Sequence, residues 1–142
     1  MKGKVDPISL VEGKVFIDGY ECMDSVEFEI TFTPRVWTGR QLGDRTDSSR
    51  WLGHSYKGKI KRRRSTDWLK VVIDKYIRTG ETPSFTIQGI SNDGGSDYFR
   101  RHGPEIRTAI GCVFTGDIKL LHLDANGEVL EDDLPFNAKD VV

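Results

Sequence analysis

The chain predicts a mainly β fold with a single helix, α+β if that helix is counted, and three observations carry the prediction. From Ser25 to Thr33 the residues alternate strictly: Val26, Phe28, Ile30 and Phe32 point one way, Glu27, Glu29, Thr31 and Thr33 the other. Tyr56 to Arg63 alternates again, with Tyr56, Gly58 and Ile60 set against Lys57, Lys59, Lys61 and Arg63. Only Ser65 to Gly80 keeps a helical period.

Taken in order, residues 1–12 carry little pattern and read as a loose, mobile arm on one domain spanning 1–142. Lys14 to Ile17 is a short strand that enters a tight turn at Asp18–Gly19. The alternating strand from Ser25 follows, with one face on a core and one in water. Pro34 is expected to interrupt its ladder, and Arg35 to Leu42 to continue as another strand. Residues 39–53, rich in glycine, serine and charge, read as a long loop, a length usually functional or disordered. Trp51 and Leu52 at its end have no evident place in a monomer core and suggest a contact surface, against the plainer reading that Trp51 folds back onto its own domain.

If the Tyr56–Arg63 strand lies antiparallel to the Glu27/Glu29 strand, opposite charges face each other on one sheet surface. The helix follows, over about residues 66–79, with Leu69, Val72, Ile73, Tyr76 and Ile77 as its core face and Trp68 and Val71 widening the stripe. Ser65 or Thr66 is placed to cap it, Asp67 to meet its positive end, Gly80 to terminate it, and Pro83 to prevent its resumption. Ser84 to Ser91 is a strand, 91–103 a second polar loop, and Pro104 to Thr115 and Ile118 to Asp124 two further strands. Ala125–Asn126–Gly127 turns the chain into a last acidic segment that ends near Phe136.

With 142 residues, 30% of them charged, and a formal net charge of −1, the composition describes an ordinary soluble surface. It argues against a dedicated nucleic-acid or membrane-surface protein, where a basic excess is expected. No apolar run approaches the roughly 18–20 residues of a membrane span, and no leader precedes a cleavage site, so folding in a cytoplasm is expected. Cys22 and Cys112 stand singly in predicted strands; free core thiols are the expectation, with a disulfide as the alternative.

Catalytic chemistry finds no support. His54, His102 and His122 share no metal-ligand spacing, and neither cysteine sits in a nucleophile pattern. No phosphate loop, nucleophile elbow or dinucleotide fingerprint occurs, and no metal or cofactor is expected. Asp132 and Asp133 are adjacent on a strand, so they point to opposite faces and share no site. The strongest charge cluster is Lys57 to Arg64, six basic residues in eight. It supports two readings: a solvated or inter-subunit face that meets carboxylates, or the basic strand of an OB-like module that binds nucleic acid.

Five fragments in order resemble a known family. They are EGKVFIDGYE (Glu12–Glu21), the FEI strand (Phe28–Ile30), LGHSYKGKIK (Leu52–Lys61), the helix leading into YIRTGETPSFTIQ (Tyr76–Gln88), and LDANGEVLEDDLPFNAKD (Leu123–Asp140). Together they are similar to the tail tube proteins of contractile phage tails, PBSX-type defective prophages and phage-tail-like bacteriocins; the 92–103 loop matches least. The resemblance implies a non-enzymatic subunit: two packed antiparallel sheets forming a sandwich or barrel with one flanking helix, closing into hexameric rings that stack into a hollow tube inside a sheath. A related capsid or baseplate component is a blander alternative.

Its implied partners are copies of itself, the sheath protein, baseplate or tube-initiator proteins, a tape-measure protein, and DNA in the lumen where the particle carries it. The implied location is the tail tube of a virion or tail-like particle assembled in the bacterial cytoplasm. On this reading Glu27, Glu29, Thr31 and Thr33 are lumen-facing candidates. Arg40, Leu42, Arg45, Trp51 and Leu52 are ring-stacking candidates, and Lys57, Lys59, Lys61 and Arg63 are inter-subunit charge candidates.

Overall fold

A computed structural model describes residues 5–142, which hold eight strands and two helices. Residues 1–4 of the expected N-terminal arm lie outside the described residues. The strands are β1 (Gly13–Ile17), β2 (Tyr20–Glu21), β3 (Ser25–Gly39), β4 (Ser48–Arg63), β5 (Phe85–Ser91), β6 (Glu105–Phe114), β7 (Glu131–Ala138) and β8 (Asp140–Val141). The helices are α1 (Trp68–Thr79) and α2 (Asp97–His102). Pairing is antiparallel throughout, in the order β2-β1-β5-β6-β7-β4-β3, with β8 added beside β6.

β6 belongs to both halves of this sheet. Residues Glu105 to Cys112 pair with β5, while Val113 and Phe114 pair with β7. Just before the change of partner, between Ala109 and Cys112, the ladder with β5 slips, and Gly111 takes φ 67°, a left-handed conformation that glycine adopts freely. A strand that crosses from one layer to the other at such a bulge is how an antiparallel sheet turns a corner. The layers then face each other across a core of Val15, Ile60, Leu69, Phe85, Ile87, Ala109, Cys112, Leu134 and Phe136.

Several expectations need correction. Pro34 does not interrupt its strand: it stands opposite His54 within β3, which is the outermost strand, where a missing ladder donor is tolerated. The long loop of 39–53 shrinks to residues 40–47, because 48–53 are already in β4, and Trp51 and Leu52 are strand residues. Ile118 to Asp124 is not a strand; its Leu120, Leu121 and Leu123 are exposed and have no regular ladder. The loop at 91–103 holds α2, capped by Ser96, whose Oγ accepts from the Phe99 amide at 3.2 Å.

α1 begins at Trp68 with Asp67 as its N-cap, whose side chain makes no capping hydrogen bond. Ser65, expected to cap, instead donates to Asp24 at 2.9 Å. The helix ends as expected at Gly80, in the left-handed conformation with φ 74°, its amide donating to Tyr76 O at 2.7 Å. Leu69 is buried, and Trp68 packs against Phe85 and Phe114 with ring centroids 5.8 and 6.3 Å away. Val72 and Ile73 are half-buried. Tyr76 and Ile77 are not core residues of the single chain: the second half of α1 overhangs the sheet, and Ile77 is 73% exposed.

Candidate assembly surfaces

The outer face of β3, β4 and β7 is a ladder of charge. Glu27 stands opposite Lys61, Glu29 opposite Lys59 and Thr31 opposite Lys57; on the other side Lys61 faces Asp133 and Arg63 faces Glu131. Lys59 Nζ lies 3.1 Å from Glu27, and this partner raises the lysine's pKa. Lys61 and Arg63 reach Glu131 at 3.6 and 3.8 Å. Three of the four basic residues offered as inter-subunit candidates thus have carboxylate partners within the chain. Glu27, Glu29, Thr31 and Thr33 lie exposed along β3 on this same face, with Thr31 donating to Glu29 at 3.2 Å.

β4 pairs with β7 only from Tyr56 to Arg63. Residues 33–55 therefore form a two-stranded ribbon without a third strand, and such a ribbon is marginal alone. The side of the ribbon that continues the core face carries rings: Phe32 lies 5.5 Å from Trp51, 5.3 Å from His54 and 5.7 Å from Tyr56. A register shift between Arg35 and Val36 leaves Leu52 without an opposite residue and brings Trp51 across from Val36. Trp51 is 64% exposed, and Val36, Trp37 and Leu52 are about half exposed. At the tip, Arg40 pairs with Asp47 at 2.9 Å, while Leu42 is fully exposed and Arg45 points to solvent.

Where the ribbon leaves the body, a charged knot is buried. Arg62 is 1% exposed, with Nε 3.3 Å from Asp132 and 3.6 Å from Asp24 and Nη2 donating to Thr66 O. Arg64 forks onto Asp132 at 2.6 and 3.0 Å. Burial pushes the Cys22 thiol up to about 12, helped by its hydrogen bond to Asp24. Burial also works to raise Asp24, but hydrogen bonds from Cys22 and Ser65 and the charge of Arg62 outweigh it and hold the carboxyl below its usual range. Asp132 is buried in this knot while Asp133 faces solvent, as strand alternation requires.

Sequence reasoning separated Arg62 from its charged neighbours in no way, although its even position in the alternation from Tyr56 places it with Ile60 on the core side. The second helix was legible in Ser96–Asp97, an N-cap followed by an acidic first-turn residue. The arm's tether was not: Asp6 and Ser9 donate their amides to the carboxylates of Asp97 and Asp93, residues far away in sequence. Both cysteines are free, Cys112 within the core and Cys22 beside the knot. Among the described residues no group of His, Cys, Asp and Glu is arranged to hold a metal ion, and no helix is long and apolar enough to cross a membrane.

Comparison with known proteins shows what the chain is similar to. Two proteins of Bacillus subtilis strain 168, YqbM and the phage-like element PBSX protein XkdM, are each 27% identical over 133 residues, covering 94% of this chain and 87% of theirs. Among solved structures, the sheath/tube terminator assembly of an extracellular contractile injection system contains a chain that superposes with a TM-score of 0.72 at 12% identity, over 96% of this chain and 95% of that one. A chain of the sheath–tube complex of such a system gives 0.65 at 12% identity, over 96% and 90%. A chain of the anti-feeding prophage baseplate gives 0.64 at 13%, over 92% and 89%. The fold is shared with these assemblies. The family model described as phage tail tube protein matches residues 4–141, and the chain belongs to that structural, non-enzymatic family.

Proposed function

We propose that this chain is the repeating subunit of the inner tube of a contractile tail or tail-like particle, with copies closing into hexameric rings that stack head to tail inside a sheath. The observation that carries the reading is the open flank of β3, which stands at the end of the sheet order and pairs only with β4 along its 15 residues. An outermost strand of that length is a pairing template, and closing a ring of copies satisfies it. The other end of the sheet, the two-residue β2, is short.

Within such a ring the charged face bearing Glu27, Glu29, Thr31 and Thr33 lines the bore, which also admits DNA or a tape-measure protein where the particle carries one. The ribbon residues Arg40, Leu42, Arg45, Trp51 and Leu52 meet the next ring. Sheath and baseplate proteins are the outer and terminal partners, and assembly takes place in the bacterial cytoplasm. The chains of similar fold come from tube, sheath and baseplate assemblies, which supports a place among such partners. The rival, an OB-like module binding nucleic acid through 57–64, is disfavoured because Lys59, Lys61 and Arg63 are matched by Glu27 and Glu131 of the same chain. Negative-stain microscopy of the concentrated protein tests the proposal: annuli or rods are expected, and a dispersed monomer at every concentration, even with baseplate proteins added, overturns it.

A further inference from the structure

Residues 115–130 join β6 to β7, and their second half has no cover: every residue from Leu121 to Val129 is exposed. Within it, Asp124 to Gly127 form a turn. The Gly127 amide donates to Asp124 O at 3.1 Å, and the Asn126 amide donates to Asp124 Oδ1 at 2.9 Å. Among the described residues the Asn126 carboxamide itself makes no hydrogen bond. A glycine that follows an asparagine leaves the nitrogen between them unshielded by any Cβ and gives the backbone its widest range. The other asparagines lack this pairing. Asn92 precedes Asp93, and Asn137 precedes Ala138 inside β7, laddered to Lys57 and Val113.

We propose that Asn126 is a site of spontaneous deamidation, restrained by the turn that Asp124 closes. The Gly127 nitrogen gives up its proton to base and attacks Cγ of Asn126. The bond from Cγ to the side-chain nitrogen breaks, and ammonia leaves. Water then opens the five-membered imide at either carbonyl, giving aspartate or isoaspartate. Two features of the turn set the pace. The nitrogen that reacts is the one whose N–H is spent on Asp124 O, so the turn has to open first. The Asp124 carboxylate, fixed on the adjacent amide, also disfavours a negative nitrogen beside it. An exposed turn closed by so few bonds opens at low cost, so the restraint slows the reaction without preventing it. Each event adds one negative charge to a chain of formal net charge −1. The isoaspartyl product also lengthens the backbone of the connection by a methylene.

Tryptic cleavage after Lys119 and Lys139 puts Asn126 and Asn137 in one peptide, so each digest carries its own control. After incubation of the full chain, deamidation reads as a mass gain of about 1 Da, placed by fragment ions. The gain at Asn126 is expected to be at least tenfold faster than at Asn137. It is expected to quicken roughly tenfold for each pH unit above neutrality, as the deprotonated fraction of an amide grows. Gly127→Ala is expected to slow it at least tenfold and to keep the wild-type melt. Gly127 is not among the left-handed glycines, and a Cβ there would stand 3.4 Å from Asp124 Cβ, an ordinary contact. Asp124→Ala is expected to speed it severalfold. A gain no faster at Asn126 than at Asn137, or unaltered by Gly127→Ala, overturns the site. A rate no higher in Asp124→Ala overturns the restraint.

Discussion

Phe28 occupies the space that a side chain at position 89 would need. A Cβ built on Gly89 of β5 would stand 2.5 Å from Cε1 of the Phe28 ring on β3, so the two layers meet there with nothing between ring and backbone. The same ring lies 6.2 Å from Phe136, whose own edge fills the space over Gly58, where a Cβ would come within 2.5 Å. Gly89 and Phe28 thus set the distance between the layers, while Gly58 and Phe136 are register partners on neighbouring strands.

Gly89→Ala is therefore expected to destabilise the chain by about 1–3 kcal/mol, as overpacking in a filled core does. Urea denaturation measures it. A transition unchanged from wild type would mean that the layers do not meet at Phe28.

Trp51→Ala separates folding from assembly. Its ring is mostly exposed and touches Phe32 on an outlying ribbon, so its removal is expected to cost the monomer no more than about 1 kcal/mol. Tube yield, scored by sedimentation, is expected to fall far more. An equal loss of melting temperature and assembly would count against a stacking role.

The double change Glu27→Lys and Glu29→Lys addresses the bore. Exposed pairs such as Glu27–Lys59 contribute about 0–1 kcal/mol each, so the folded chain survives the reversal. Rings counted by microscopy are expected to persist, since ring closure pairs the backbone flank of β3 and leaves these side chains directed into the bore. Disappearance of the rings would place these residues at a subunit boundary.

Acid sensitivity has a defined origin at Asp24. Its carboxyl titrates below the ordinary value of 3.8 in the folded chain, so its contribution to stability is complete above that pH and is lost as pH falls through the lowered folded value. Thermal melts at pH 7 and pH 3 are expected to converge partly in Asp24→Asn, which cannot titrate. A wild-type and a variant that lose the same stability between those two pH values would contradict this.

The alternation of Ser25–Thr33 and Tyr56–Arg63 made the central strands legible, including that the Glu27/Glu29 strand faces the basic one; the register, Glu27 to Lys61 and Glu29 to Lys59, came from the structure. Alternation reports one strand and its two faces, and it says little about where a strand stops. That is why Pro34 and the polar composition of 39–53 looked like interruptions: a ribbon with water on both sides needs no apolar period, and an outermost strand accepts proline. Helical period likewise reports a stripe and not its coverage. Leu69 is covered by the sheet and Ile77 is not, so Leu69→Ala is expected to cost about 2–5 kcal/mol and Ile77→Ser close to nothing in the isolated chain. The buried charge at Arg62 draws on Asp24, Thr66 and Asp132, and no local pattern announces it.

The ladder on β3, β4 and β7 has a further effect. Glu27, Glu29, Glu131 and Asp133 match Lys57, Lys59, Lys61 and Arg63 in number, and opposite signs sit side by side. Fields from such a mosaic cancel within a few ångströms of the wall, well inside the screening length of about 8 Å at physiological salt. A conduit paved this way would hold neither a polyanion nor a polycation along its length, and cargo of either sign would slide through without being gripped.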